Sequence, residues 1–380
     1  MTEKLYYKDA YISEFYAEVI SAEQKGGSFE IVLDKTAFFP EEGGQNSDTG
    51  YISDARVLDV RETAGVIYHY TDKLPSAREG VKCTIDFDIR FEKMQIHTAE
   101  HMVCGILHNL YGHENVGFHL GEDVCTFDIN AELTREVLDR AEALANEAIY
   151  KNLPVSAATY TAQELKEMEY RSKLDVFDGM RIVKIGDIDS CACCAPHVSS
   201  TGEIGVIKLL DFEKHRGGTR IILTAGRRAF SDYSDRYRII KNISGMLSEP
   251  QSTVDTAVGA LLDDKEKMKY EHKRCVLGLV RALADSVTTG STRVLYNVES
   301  VSTDALRDFC NFAGEKSAVP IVAISGSDGE YRYVIYDKSG DVTSFVKAAN
   351  AALSGRGGGR GKMAQGTFHS NLSEIEAFFK

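Results

Sequence analysis

Short apolar runs broken by glycine and aspartate turns open the chain, with Phe29-Glu30-Ile31-Val32-Leu33 and Val66-Ile67-Tyr68-His69-Tyr70 the clearest of them. Their partial period-two alternation predicts strands, so residues 1–88 read as a small β domain, barrel-like in character. The period changes near Arg90. Met94, His97, His101, Met102, Gly105 and Ile106 recur at helical spacing, and Leu133 to Lys151 forms a second amphipathic run rich in Ala, Leu and Glu. Strand-like segments at 181–185 and 205–210 follow and bracket a cysteine cluster, which makes residues 89–230 an expected α+β domain. Residues 231–290 are predicted to be mostly helical, with dense charge from Asp263 to Lys273 and an apolar series from Val276 to Leu283, the pattern of a helical linker. Over 291–380, strand patterns at 293–296, 320–324 and 331–336 alternate with helical ones and predict a small C-terminal α/β domain. The fold class expected for the whole chain is α+β.

Composition narrows the class. At 380 residues and 43% hydrophobic, the chain has room for two or three cores, since domains usually run to about 100–200 residues. It has no apolar stretch of about 18 residues and no basic, apolar leader, so a cytoplasmic protein without a membrane partner is expected. Eight cysteines are too few for a disulfide framework at this length, and Cys191, Cys193 and Cys194 crowd beside a histidine, which favours thiolates held for metal. A net charge of −13 argues against wholesale non-specific binding to nucleic acid. A nucleic-acid partner then requires a local basic patch. Arg356, Arg360 and Lys362, set among glycines that let a phosphate backbone approach, form one such loop; Arg216, Arg220, Arg227 and Arg228 form a second cluster.

Three motifs carry candidate chemistry. His97 and His101, four apart on a helix, share one face, and Cys193 with His197 supplies a Cys-x3-His pair; imidazole and thiolate are ligands zinc prefers. Cys191 or Cys194 can equally supply the sulfur on these grounds. The first motif, His97-Thr98-Ala99-Glu100-His101, also satisfies H-x-x-E-H, in which Glu100 serves a zinc peptidase as general base. Alternatively, Glu100 pairs with a cation or accepts a hydrogen bond from a ligand imidazole. The third motif, Thr36 to Gln45, ends in Gly43 and Gly44, which allow positive φ or close approach of backbone to a ligand, and in Gln45, which offers a donor and an acceptor. A turn between strands explains the same residues.

In order and spacing, Thr36 to Gln45, His97-x3-His101 and Cys193-x3-His197 followed by Val198 to Gly205 resemble the editing domain of alanyl-tRNA synthetase and its free-standing relatives, the alanyl-tRNA editing proteins. Gly357 to Gly366 is similar to the glycine-rich signature of the C-terminal domain that long-form members share with the synthetase, so the resemblance covers nearly the whole chain. It implies hydrolysis of the ester joining a wrong amino acid, serine or also glycine, to the alanine tRNA. It further implies Zn2+ held by His97, His101, Cys193 and His197 to fix the amino acid or activate a water, Thr36 and Gln45 lining the pocket, and a C-terminal domain that binds tRNA and self-associates as a homodimer. The register from Thr201 to Gly205 back to His197 places the ligand cysteine at 193.

Departures qualify the resemblance. The family's Cys-Gly-Gly-Thr-His is Cys-Cys-Ala-Pro-His here, with a less flexible backbone and an extra thiol between the ligands. The chain is too short to hold an aminoacylation domain, no Asp-His-His occurs, and the glycine-rich run is not a P-loop because Met363 stands where Ser or Thr is needed. A zinc metallopeptidase and a zinc-stabilised tRNA-binding protein without activity are the alternative functions.

Overall fold

The computed structural model describes residues 1–121, 124–327 and 329–380. It divides into two compact units, Met1–Lys241 and Asn242–Lys380. The first unit begins with β1 (Glu3–Lys4), β2 (Glu14–Ala17), β3 (Val19–Lys25), β4 (Ser28–Leu33), β5 (Lys35–Thr36), β6 (Gly50–Ile52), β7 (Ala55–Thr63), β8 (Val66–Thr71) and β9 (Val81–Ile85). Seven of these form one sheet in the order β2-β9-β6-β7-β8-β4-β3. Every pair within it is antiparallel. The two edges, β2 and β3, are separated in sequence by Glu18 alone, so the sheet has to curl until its ends meet. The result is a curled antiparallel sheet with no ladder between its two edge strands among the described residues. Tyr6, Phe15, Ile31, Leu33, Phe38, Phe39, Ile52 and Val60 fill its interior.

Next come α1 (Phe87–Tyr111), β10 (Asn115–Leu120), β11 (Cys125–Ile129), α2 (Arg135–Lys151), β12 (Val155–Tyr160), α3 (Ala162–Leu165), β13 (Met180–Ile185), β14 (Asp189–Ala192), β15 (Ile207–His215), β16 (Gly218–Ala225) and α4 (Gly226–Leu247). α1 is the axis of this half. Every residue from Met94 to Leu107 is buried, polar ones included, so the helix is enclosed on all sides rather than amphipathic. It ends where Gly112 takes a left-handed conformation, φ 67°, that returns its N–H to the His108 carbonyl. α2 packs its Leu138, Ala141, Ala145 and Ile149 side toward the same core. Two antiparallel sheets, ordered β10-β11-β16-β15 and β12-β13-β14, complete the domain.

The second unit holds α5 (Val254–Asp285), β17 (Leu295–Asn297), α6 (Thr303–Gly314), β18 (Ile321–Ser327), β19 (Glu330–Tyr336), α7 (Thr343–Ala352), β20 (Arg356–Arg360), β21 (Met363–Phe368) and α8 (Leu372–Phe378). The region read as one helical stretch is interrupted: α4 stops at Leu247, and Pro250, which lacks an N–H to donate, precedes the restart at Val254. A five-stranded sheet, β17-β18-β19-β21-β20, carries one core on each face, centred on Leu306 and Phe309 on one side and on Tyr333 and Phe368 on the other. The glycine-rich segment expected as a loop is instead the edge strand β20. A Cβ on Gly357 would lie 2.4 Å from the Gln365 carbonyl oxygen, and one on Gly366 would lie 2.5 Å from the Tyr333 hydroxyl, so these glycines let the hairpin lie against Tyr333. Among the described residues no helix is long and apolar enough to cross a membrane.

Candidate metal centre

α1 carries His97 and His101 on its buried stretch, so both imidazoles face protein instead of water. Cys193 and His197 lie in the turn after β14, and β13 holds that turn in place. The Arg181 guanidinium donates to the carbonyls of Cys193 (2.8 Å) and Ala195 (2.9 Å), and the Cys193 N–H donates back to the Arg181 carbonyl (3.1 Å). The four candidate ligand atoms all lie within 4.8 Å of one another. Cys193 Sγ is 3.6 Å from His97 Nε2 and 3.3 Å from His197 Nε2. A tetrahedral zinc with nitrogens at about 2.0–2.1 Å and sulfur at about 2.3 Å sets N and S about 3.6 Å apart, so the donor set fits that ion in type and spacing.

The other ring nitrogens are equally informative. His97 Nδ1 meets Gln45 Oε1 at 2.8 Å, His101 Nδ1 meets Asp189 Oδ2 at 2.9 Å, and His197 Nδ1 meets Thr98 Oγ1 at 3.0 Å. Thr98 donates its own proton to the Met94 carbonyl (2.7 Å), so toward His197 it accepts. The network therefore puts a proton on all three Nδ1 atoms and turns the three Nε2 atoms toward the site, the arrangement by which outer partners orient metal-binding histidines. Phe118 lies against His97 with ring centroids 4.5 Å apart.

Protonation follows from the same contacts. Burial would raise the Cys193 thiol, but the imidazoles gathered round its sulfur, His97 first and then His197 and His101, bring it well below its ordinary range, which favours the thiolate. Burial pushes His197 down to about 3 and so keeps it neutral. Burial opposes a proton on His101 too, yet Cys191, Asp189 and Cys193 outweigh it and raise this group, whose Nε2 proton a metal has to displace. A second grouping, His101 with Asp189 and Cys191, shares one histidine with the first. Its carboxylate is already engaged by His101 and Arg171, and burial pushes the Cys191 thiol up to about 11, so it reads as the support of the first site.

The remaining sequence-predicted residues divide. Gln45 is brought to the cluster through His97, and its Nε2 is buried without a hydrogen-bond partner among the described residues. Gly44, at φ 87°, gives its carbonyl to Leu120 N–H (2.7 Å); a Cβ there would sit 2.3 Å from the Phe118 carbonyl oxygen. Gly43, at φ 62°, faces the Cys194 sulfur. Thr36 bonds to His69 Nε2 (2.8 Å) and accepts from the Phe38 N–H (3.1 Å). Glu100 shares α1 with the ligands but lies outside their cluster: its Oε1 accepts from Asn115 Nδ2 and from Cys104 Sγ. In the second unit, Arg356 and Arg360 are exposed on β20, and Lys362, in the turn after it, stands 3.7 Å from Glu315. The other arginine cluster is largely neutralised, because Arg220 pairs with Asp128, Arg227 with Asp88 and Arg228 with Glu92.

Sequence reasoning missed Thr98, Arg171, Arg181 and Asp189. Thr98 lay in plain view inside the histidine motif, and Asp189 four residues before Cys193. Arg171 and Arg181 had no local signal.

Three buried imidazoles and one part-buried cysteine meet in an α+β fold beside a curled antiparallel sheet, and the family models that match this unit are domains of aminoacyl-tRNA synthetases. Residues 180–222 match the threonyl and alanyl tRNA synthetase second additional domain, residues 2–90 the class II (A) tRNA synthetases, and residues 291–380 the DHHA1 domain. The chain is 30% identical to the alanyl-tRNA editing protein AlaX-L of Pyrococcus horikoshii over 99% of its own length and 96% of that protein's. It belongs to that family, the long-form alanyl-tRNA editing proteins. It also matches the alanine–tRNA ligases of Archaeoglobus fulgidus and Thermococcus kodakarensis at 28% and 30% identity, spanning 43% of each.

Proposed function

We propose that the protein is a trans-editing hydrolase that removes a wrong amino acid from alanine tRNA charged by another protein, with the seryl ester as its first substrate and the glycyl ester as the one to test beside it. The observation that carries this reading is the convergence of three Nε2 atoms on Cys193, each imidazole fixed from behind at Nδ1. His97, His101, Cys193 and His197 would hold Zn2+, which supplies a Lewis acid to fix the amino acid or lower the pKa of a water.

The pocket residues have defined capacities. Gln45 spends its carbonyl on His97 and retains a buried amide N–H2 with no partner among the described residues, a donor for a substrate oxygen. His69 donates Nδ1–H to the Ile31 carbonyl (3.1 Å), so its Nε2 takes the Thr36 proton. Thr36 can then accept from a serine hydroxyl but not donate to it. A site that hydrogen-bonds a hydroxyl discriminates by about 10⁴ or more against a substrate lacking it, which a pocket shaped only for alanine cannot do. Glu100, tied to Asn115 and Cys104, supports α1 and does not serve as a peptidase base. Arg356, Arg360 and Lys362 on the β20 hairpin would contact tRNA phosphates.

The test is deacylation of seryl-, glycyl- and alanyl-charged alanine tRNA. Wild type should cleave the seryl ester and spare the alanyl ester. Cys193→Ala and His101→Ala should lose zinc and activity together, and full zinc occupancy in both would overturn the ligand assignment.

A further inference from the structure

One ligand of the site is held differently from the other two. His97 and His197 are backed by neutral partners, an amide and a hydroxyl, whereas His101 is backed by a carboxylate. That carboxylate belongs to Asp189, 7% exposed, at the start of β14. Behind it stands Arg171, whose Nε donates to Asp189 Oδ1 at 2.8 Å and whose Nη2 donates to Oδ2 at 2.9 Å, a planar two-point grip.

The chain takes trouble to bring these three groups together. Arg171 lies in an irregular stretch between α3 and β13, yet its backbone pairs with β14: its N–H donates to Ser190 O (2.8 Å) and its carbonyl accepts from Ala192 N–H (2.9 Å). On the other side, Gly105, one turn along α1 from His101, leaves room for Asp189. A Cβ at 105 would lie 2.7 Å from Asp189 Cβ and 2.6 Å from the Ile188 carbonyl oxygen. The helix approaches β14 closely at the one turn where a ligand histidine needs its partner. Charge explains the third member. A buried carboxylate is strongly unfavourable unless paired, and Arg171 lets Asp189 remain anionic behind the imidazole.

We propose that Arg171 and Asp189 are positioning residues of the metal centre, an ionic relay that fixes His101 with Nδ1–H outward and Nε2 inward and strengthens it as a ligand. This rests on the zinc reading above. The relay acts on the ligand and not on the substrate, so its signature is metal affinity.

The experiment is chelator competition for zinc, with cobalt(II) absorption as a second readout of coordination, on wild type, Asp189→Asn, Arg171→Met and the double variant, each checked for fold by circular dichroism. Asp189→Asn should weaken zinc by about 10–100-fold, the usual loss when an outer partner of a ligand histidine is removed, and alter the cobalt spectrum. Arg171→Met should weaken zinc in the wild-type background and add little once Asp189 is Asn, because it acts through that carboxylate. If the Asn variant does not fold, Arg171→Met, which keeps the carboxylate, carries the same test alone. Wild-type affinity and an unchanged spectrum in folded variants would overturn the relay while leaving the zinc reading intact. Failure of wild type to bind either ion would overturn both.

Discussion

His69 shows how a single buried group ties stability to pH. It is fully buried, and burial outweighs its bond to the Ile31 carbonyl, lowering it to about 4 from the usual 6.5. The unfolded chain therefore binds a proton that the folded chain refuses between those values. Stability from this group is fully present above about pH 6.5 and is lost as pH falls toward 4, on the order of 3 kcal/mol in all. Urea midpoints measured from pH 7 to pH 4 should fall, and His69→Gln, which has no proton to gain, should flatten that part of the slope. An equal slope in the variant would show that other groups dominate. The tautomer that keeps His69 neutral also commits the Thr36 proton, so an acidic sample should lose the Thr36–His69 hydrogen bond along with stability.

At the scale of one element, α1 does more than present two ligands. Arg90, Lys93 and His97, at i, i+3 and i+7, grip the same segment from Ala37 to Asp48. Arg90 donates to Asp48 and to the Ala37 carbonyl (2.6 Å), Lys93 to the carbonyls of Asn46 (3.2 Å) and Ser47 (2.6 Å), and His97 reaches Gln45. The curled sheet is thereby locked to the helix that carries His97 and His101 through the segment that holds Gly43, Gly44 and Gln45. Arg90 and Asp48 are both almost wholly buried, and breaking such a pair from one side leaves an uncompensated charge at a cost of about 3–5 kcal/mol. Arg90→Met is accordingly expected to lower stability by that amount in chemical denaturation. A loss under about 1 kcal/mol would mean that the pair is dispensable.

At the scale of the whole molecule, the candidate chemistry lies entirely in the unit Met1–Lys241, and the exposed arginines of β20 lie in the other. Binding of tRNA and hydrolysis should therefore separate by mutation. Arg356→Ala with Arg360→Ala should weaken tRNA affinity and reduce its salt dependence by roughly one unit of slope per lost phosphate contact. Zinc content should stay at the wild-type level. A double variant that bound and deacylated charged tRNA like wild type across a salt series would make β20 a structural edge only.

The candidate donor types and their register were legible in the chain itself: two histidines one helical turn apart and a Cys-x3-His return are local facts, and local spacing survives folding. The same holds for the strand and helix periods that predicted an α+β protein, and for the motif order that carried the family resemblance. What each residue faces was decided by tertiary structure. Glu100 shares a helix face with His97 and His101 in any α-helix, but α1 is enclosed on all sides, so neighbours distant in sequence draw Glu100 to Asn115 and His101 to Asp189. The glycine-rich segment gave no alternation to read, and only the facing strand β21 made it a strand. Arg171 reaches the site through a backbone bridge between segments whose meeting depends on the whole domain having folded. Short-range pattern encodes period and chemistry, whereas hydrogen-bond partners are chosen by long-range packing, so the histidines and cysteine of the candidate metal centre could be read from the sequence and the groups that orient them could not.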